Sequence, residues 1–351
     1  MFQDLTWNEL FDNKNINETV LIDVRSPSEY KDFTIPGSIN IPFFTDEERA
    51  EVGTIYKQIS VQAAKDRGLE IISAKLPAFI KAFSQIEGKK VVFCWRGGMR
   101  SRTSATVLDL MGIRMYRLKG GIREYRKWVL NTIEKIDFQP KVLVLNGLTG
   151  SGKTVILEQL KREGYPVIDL EGLAKHRGSI FGQIGLEPNN QKTFEALLMK
   201  EVHHYQHSPY VLVEGESKRI GKVTIPDFFM DKKDKGTQLF IKMPTEERVR
   251  HILEDYQPWE HFEECLTAFQ KIKKRIHSPV ANQIEKDLQI GDYGPAVKLL
   301  LEFYYDPRYK HTAEQYDESQ CFTLEVQNAE EAVSAVKELL EKNKVNEPQL
   351  Y

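Results

Sequence analysis

The sequence predicts an α/β protein of two parallel-sheet domains, spanning residues 1–135 and 141–351. Three observations carry that expectation. Short apolar runs alternate with stretches of helical periodicity, a pattern that implies parallel strands joined by helices. Two of those runs end in glycine-rich loops that open directly into helices, one at Cys94 and one at Gly147. A chain of 351 residues also exceeds one average domain, and its texture changes at 134–140, which ends Gln139-Pro140.

Composition narrows the class. Hydrophobic content of 41% and charged content of 28% describe an ordinary globular chain. Three cysteines, far apart and odd in number, argue against a disulfide framework and for a reducing, cytoplasmic setting. Cys265 and Cys321 sit in apolar-periodic segments and are expected in the core. No apolar run approaches the roughly 20 residues that span a bilayer, so no membrane association is expected. Met1-Phe2-Gln3-Asp4 lacks the basic start of a signal peptide. The net charge of −2 argues weakly against a nucleic-acid partner, but its distribution does not. From Cys94 to Lys127 there are nine Lys/Arg against Asp109 and Glu124, an excess of seven. A second basic cluster, Lys271-Ile272-Lys273-Lys274-Arg275, reads more simply as a solvated face. The sequence has no internal repeat and no low-complexity tract.

In the first domain a strand is expected over 16–25, with Asp23 near its end. Helices are expected over 47–66 and 71–86, separated at Gly68, the second with apolar positions Ile71, Ile72, Leu76, Phe79, Ile80 and Phe83. The strand Val91-Val92-Phe93 then runs into Cys94-Trp95-Arg96-Gly97-Gly98-Met99-Arg100-Ser101, and a helix follows. Gly97 and Gly98 let the backbone curl and present its N–H groups, and the helix start adds positive potential. A thiol placed there is expected to ionise and act as a nucleophile. A buried structural cysteine is the plainer alternative, though arginines and a Gly-Gly loop make poor apolar surroundings. The loop alone suits either a phosphate, as in Cys-x5-Arg phosphatases, or a sulfur anion. A last helix is expected near 122–133.

The second domain opens with the strand Val142-Leu143-Val144-Leu145. Gly147-Leu148-Thr149-Gly150-Ser151-Gly152-Lys153-Thr154 then fits the phosphate-binding pattern G-x4-G-K-T, with a helix over 155–162. Gly147, Gly150, Ser151, Gly152 and Lys153 would cradle a di- or triphosphate, and Thr154 is a candidate magnesium ligand. Further strands are expected over 166–170, 210–214 and 238–241, with a helix over 190–206. Asp169 and Glu214 fall at strand ends, where ligands gather in such sheets, but helix capping would place an acid there equally well. His176, Arg177 and Ser179 form a polar loop after Asp169, and Glu216, Ser217 and Lys218 another after Glu214. Both loops are candidates to support the site. His203, His204 and His207 have metal-like spacing but no further ligand in view, and no metal site is assigned. Helices are expected from 245 to 306, stopped by Pro307, then a strand over 321–326 and a terminal helix. That helix carries an apolar stripe, Ala332, Val333, Val336, Leu339 and Leu340, which reads as core packing.

Leu21-Ile22-Asp23-Val24-Arg25-Ser26-Pro27-Ser28-Glu29-Tyr30, Ile35-Pro36-Gly37-Ser38 and Arg117-Leu118-Lys119-Gly120-Gly121 resemble the opening and closing motifs of rhodaneses. The first domain is thus identified as rhodanese-like and the second as P-loop NTPase-like with helical additions. The resemblance implies that Cys94 carries a persulfide or its selenium counterpart. Together with 169–179 and 213–221, the two domains resemble the bacterial tRNA 2-selenouridine synthases over nearly the whole chain. That family pattern more often carries a serine where Gly215 stands, which leaves the role of this residue open. The resemblance implies that sulfur of a wobble 2-thiouridine in tRNA is replaced by selenium from selenophosphate. It also implies an S-geranylated intermediate made from geranyl diphosphate. A selenophosphate-producing enzyme is then an expected partner, Arg123 and Arg126 are candidate tRNA contacts, and Mg²⁺ is a candidate companion of the diphosphate. The rival readings are a P-loop kinase or NTPase regulated by a rhodanese-like unit, and a general sulfurtransferase.

Overall fold

The computed structural model describes residues 2–11, 19–309 and 316–345, and the chain divides into two compact units, Met1–Lys135 and Ile136–Tyr351. The first unit runs β1 (Gln3–Leu5), α1 (Trp7–Phe11), β2 (Thr19–Asp23), α2 (Pro27–Asp32), β3 (Ile39–Asn40), α3 (Asp46–Gln58), α4 (Val61–Ser84), β4 (Lys89–Phe93), α5 (Met99–Leu110), β5 (Met115–Leu118) and α6 (Gly121–Lys135). Its sheet has the order β1-β5-β4-β2-β3, with every neighbouring pair parallel. β4 is the central strand, and its last three residues are buried, as are those of β2. Such unbroken apolar runs are what a sheet covered on both faces requires. Phe43, Phe44, Ile72, Phe79 and Phe83 pack on Ile22, Val92 and Cys94. Trp7, Tyr125 and Trp128 form a separate aromatic cluster, the Trp7 and Tyr125 rings meeting edge-on at 4.5 Å.

Two local expectations change here. Of the strand expected over 16–25, residues 16–18 lie outside the described residues, and the strand occupies Thr19–Asp23. The helix break falls at Ile59-Ser60 rather than at Gly68, because Ser60 caps α4 by accepting the Ala63 amide at 3.0 Å. Gly68 is buried inside α4, where a Cβ would stand 3.3 Å from the Phe44 ring. It serves close packing, not chain reversal.

The second unit runs β6 (Lys141–Gly147), α7 (Lys153–Arg162), β7 (Val167–Ile168), α8 (Leu170–Ala174), α9 (Gln191–His204), β8 (Tyr210–Glu214), β9 (Arg219–Ile220), β10 (Val223–Thr224), α10 (Asp227–Asp234), β11 (Thr237–Lys242), α11 (Thr245–Tyr256), α12 (Phe262–Ile272), α13 (Ser278–Gln289), α14 (Tyr293–Leu300), α15 (Asp306–Tyr309), β12 (Cys321–Glu325) and α16 (Ala329–Val345). Its main sheet is also parallel, in the order β12-β11-β6-β8-β7, and β9 and β10 form a small antiparallel ribbon. Leu143 and Leu145 pack with Leu160 of α7 and with Val333, Val336 and Leu340 of α16, so the terminal stripe is core. Phe269, Ile284, Leu288 and Leu300 form a second core among α12–α14.

β7 is shorter than expected because Asp169 leaves the strand to cap α8, accepting the Gly172 amide at 2.7 Å. Pro307 does not stop the helical part. A π-helical stretch over Leu301–Tyr305 places the proline in the first turn of α15, where a missing N–H costs least. Cys265 is buried as expected, whereas Cys321 at the head of β12 is only half-buried. α9 ends at His204, so His203 and His207 do not share a helix face. Among the described residues no group of His, Cys, Asp and Glu is placed to hold a metal ion, and no helix is long and apolar enough to cross a membrane.

Candidate functional sites at two strand ends

Cys94 follows the last residue of β4 at the carboxyl end of the first sheet and is 3% exposed. Its Sγ lies 3.2 Å from the Ser101 hydroxyl, one turn into α5. The loop is held from below by the start of α6. The Cys94 carbonyl accepts the Ile122 amide at 2.9 Å, and the Trp95 carbonyl accepts that of Arg123 at 3.1 Å. This close approach needs Gly121, which has φ +61°, since a Cβ there would collide with the Cys94 carbonyl oxygen. None of the amides from Trp95 to Arg100 has a backbone acceptor among the described residues. They are therefore not tied up by the backbone and remain open to an anion at the loop.

Charged residues brace this loop. The Arg100 guanidinium grips the Glu29 carboxylate, with Nη2 at 3.2 Å from Oε1. Burial alone would raise the Glu29 pKa, but the bond and charge of Arg100 outweigh it and hold the carboxyl below its usual range. Arg117 donates to the Gly97 carbonyl at 2.9 Å and pairs with Asp4 at 2.7 Å. Beneath them, Arg25 and Asp23 form a buried pair at 2.6 Å. Glu29 and Arg117 had no signal of their own; with Asp23 they lie in the first and last of the motifs that carried the resemblance. Trp95, Arg96 and Met99 stand exposed on the loop. Arg123 and Arg126 share a shallow depression with Arg96 and Lys127. Of the nine cations between Cys94 and Lys127, Arg100 and Arg117 are thus occupied by Glu29 and Asp4.

The second site lies at the end of β6. Gly152 adopts φ +71° as the loop enters α7, and Lys153 Nζ donates back to the Gly147 carbonyl at 3.3 Å. Two residues of α11, which the sequence did not single out, hold the loop from outside. Buried Arg248 donates to the Thr149 carbonyl at 2.9 Å while paired with Asp306 at 2.6 Å. His251 Nδ1 lies 3.1 Å from the Gly150 carbonyl. Roughly a hundred residues separate these partners from the loop, so no local pattern announced them.

Four carboxyl groups gather beside Lys153 and Thr154. The Thr154 hydroxyl lies 3.3 Å from Glu171, whose pKa is pushed up to about 8 by burial first and then by Glu216. Glu214 is fully buried, accepts the Leu170 amide at 2.8 Å, and is raised well above the carboxylate range by burial and by Asp169. Gly215 has no room for a side chain, because its Cβ would collide with Asn146, which donates to Gln238 at 2.8 Å. His176 is buried nearby, its pKa lowered by that burial, with Gly182 and Gly221 close against its ring.

The remaining candidates make contacts away from the two loops. Arg177 pairs with Asp255 at 2.8 Å and lies over the Tyr256 ring, and Ser179 lies 3.2 Å from the Tyr256 hydroxyl. Ser217 donates to the Arg219 carbonyl at 2.9 Å, and Lys218 pairs with Asp227 at 2.5 Å, both at the exposed surface.

A thiol loop closing one parallel sheet and a phosphate loop closing the other define a rhodanese-like domain joined to a P-loop domain. Residues 6–127 match the rhodanese-like domain family, and residues 140–340 match the AAA domain of tRNA 2-selenouridine synthases. The tRNA 2-selenouridine synthase of Nitrosomonas europaea is 30% identical, over 88% of this chain and 92% of that protein. Those of Nitrosomonas eutropha (31%, over 87% and 91%) and Bdellovibrio bacteriovorus (32%, over 84% and 89%) are similarly close. The chain belongs to the tRNA 2-selenouridine synthase family.

Proposed function

We propose that this protein replaces the sulfur of a wobble 2-thiouridine in tRNA by selenium, in two steps divided between its two units. In the first, the 2-thio sulfur attacks the terminal carbon of geranyl diphosphate. A C–S bond forms, the C–O bond breaks and diphosphate leaves, while the base gives up its N3 proton to solvent. Lys153 and the loop amides would offset the charge that builds on the departing diphosphate. Thr154 would hold a magnesium ion there, which would supply further positive charge to the leaving diphosphate.

In the second step selenium of selenophosphate attacks C2 and geranylthiolate leaves, taking up a proton. The P–Se bond must then break. Selenium in selenophosphate is already at the selenide level, so a Cys94 perselenide would need a two-electron oxidant. The balanced route has the Cys94 sulfur take the phosphoryl group. An S–P bond forms, the P–Se electron pair stays on selenium, and water then releases phosphate and frees the thiol. The amides of Trp95–Arg100 suit a phosphoryl group in transfer, and Ser101 can donate to the sulfur as it leaves. Selenophosphate would be supplied by a separate enzyme that forms it.

One observation favours this reading over nucleotide hydrolysis. The phosphate loop shares its chain with a buried thiol, Cys94, whose following amides have no backbone acceptor among the described residues, a cradle that nucleotide turnover does not need. The slot beside Thr149, lined by Phe181, Ile252, Tyr256, Leu300 and Tyr305, has only about 60 Å³, too little for a ten-carbon chain unless its walls move. A kinase or NTPase would instead turn over ATP or GTP steadily without tRNA, and a general sulfurtransferase would move sulfur from thiosulfate to cyanide.

The test separates the steps. Lys153→Ala should cut geranylation of 2-thiouridine tRNA by about 10²–10³-fold, the usual loss of one transition-state contact. Given S-geranylated tRNA and selenophosphate, it should still form selenouridine, whereas Cys94→Ala should not. Equal failure of folded Lys153→Ala on both substrates would end the division of labour.

A further inference from the structure

Beside Cys94 the first unit carries a cavity of about 600 Å³, walled by α3, α4 and the Cys94 loop. Phe43, Phe44 and Ile72 reach its floor from the core. Its rim is made of large apolar side chains standing in solvent: Leu69 is 63% exposed, Tyr56 and Met99 59% each, with Val61 and Trp95 beside them. Single exposed apolar residues need no explanation, but a ring of them around one cavity marks a binding surface. Lys57, Lys65 and Arg96 add exposed cations to the same lining. The second-unit slot beside Thr149, at about 60 Å³, is too small for a ten-carbon chain, whereas this cavity is not.

We infer that the cavity holds the prenyl chain of an S-prenylated wobble uridine while its C2 is presented to the Cys94 loop. The inference rests on the two-step reading above and adds the seat of the leaving group. An apolar interior with cations at its edge matches a ligand that is hydrocarbon at one end and polyanionic RNA at the other. A peptide segment would bring backbone polar groups that find few partners against these walls. Cavities of about 150 Å³ already accept benzene, so this one has room for a ten-carbon chain. Cys94, Arg96, Gly98 and Met99 belong to the wall and to the loop alike. A chain lying in the cavity therefore brings the sulfur that bears it to the edge of the loop. As the C2–Se bond forms and the C2–S bond breaks, geranylthiolate remains in the cavity, and its proton comes from solvent at the mouth.

The experiment supplies selenophosphate and tRNA bearing S-geranyl, S-dimethylallyl or S-methyl 2-thiouridine, and follows selenouridine by mass spectrometry. In the unaltered protein kcat/KM should rise at least about tenfold per added isoprene unit, in the range a hydrophobic pocket earns from a few carbons. Leu69→Gln and Val61→Gln, both on the exposed rim, should collapse the geranyl-to-methyl ratio toward one. Leu69→Trp, which narrows the cavity at its rim, should move the optimum from geranyl to dimethylallyl, a gain that misfolding does not imitate. If the unaltered protein shows no chain-length preference, or the variants keep it, the cavity does not seat the chain and a protein side chain becomes its better occupant. If S-geranyl tRNA is no substrate at all while 2-thiouridine tRNA is, the two-step reading itself falls.

Discussion

At the scale of single residues, Cys94 and Glu171 make the sharpest predictions. Cys94 is small and buried, and among the described residues its thiol has Ser101 as its one hydrogen-bond partner, so Cys94→Ala should leave the thermal midpoint nearly unchanged while abolishing selenouridine. Normal selenouridine in that variant would remove Cys94 from the reaction. Glu171 predicts a pH dependence. Its ordinary value is 4.5 and the folded value is about 8, so between these the folded protein binds the extra proton. Stability contributed by that proton is present at low pH and is lost as pH rises through about 8. The slope is at most about 1.4 kcal/mol per pH unit for one proton. Glu171→Gln should flatten the fall of the thermal midpoint of the ligand-free protein between pH 6 and 8.5, leaving the part due to Glu214. An unchanged fall would show that Glu171 is not the group holding the proton.

At the scale of elements, α11 predicts how the phosphate loop keeps its shape. Arg248→Met removes the bond to Thr149 and leaves Asp306 without its partner. Breaking a buried pair costs roughly 3–5 kcal/mol; with Asp306 partly exposed, about 2–3 kcal/mol is expected in chemical denaturation. Arg248→Met with Asp306→Asn should regain part of that stability but not the geranylation rate, because Thr149 still lacks its holder. Recovery of both would make Arg248 a purely structural arginine. The same helix shows what sequence reading reaches. Both loops were legible because strand, glycines and helix are adjacent in the chain. Arg248 and His251 were not, since an amphipathic helix gives no sign of which distant carbonyl its polar residues meet. Gly68 and Pro307 misled for a related reason. A glycine under Phe44 and a proline in a fresh helical turn look, in sequence, like breaks.

At the scale of the whole molecule, the proposed two steps require one tRNA to meet both loops, and two measurements follow. Arg123 and Arg126 lie with Arg96 and Lys127 on the first unit. Reversing Arg123 and Arg126 to Glu should weaken tRNA binding and lower the slope of log K against log salt by roughly 1.4–1.8, the share of two phosphate contacts. An unchanged slope would make this face a merely solvated one. The second measurement asks how the intermediate passes between the steps. If S-geranylated tRNA dissociates before selenation, Lys153→Ala and Cys94→Ala proteins, each inactive alone on 2-thiouridine tRNA, should together restore selenouridine. The Cys94→Ala protein would make the geranylated tRNA and the Lys153→Ala protein would consume it. The restored rate should rise with the concentration of the Lys153→Ala protein until geranylation limits. If the mixture stays inactive while Lys153→Ala still converts pre-formed S-geranyl tRNA, the intermediate is kept by the molecule that made it. The fusion of the two units in one chain would then serve to retain it.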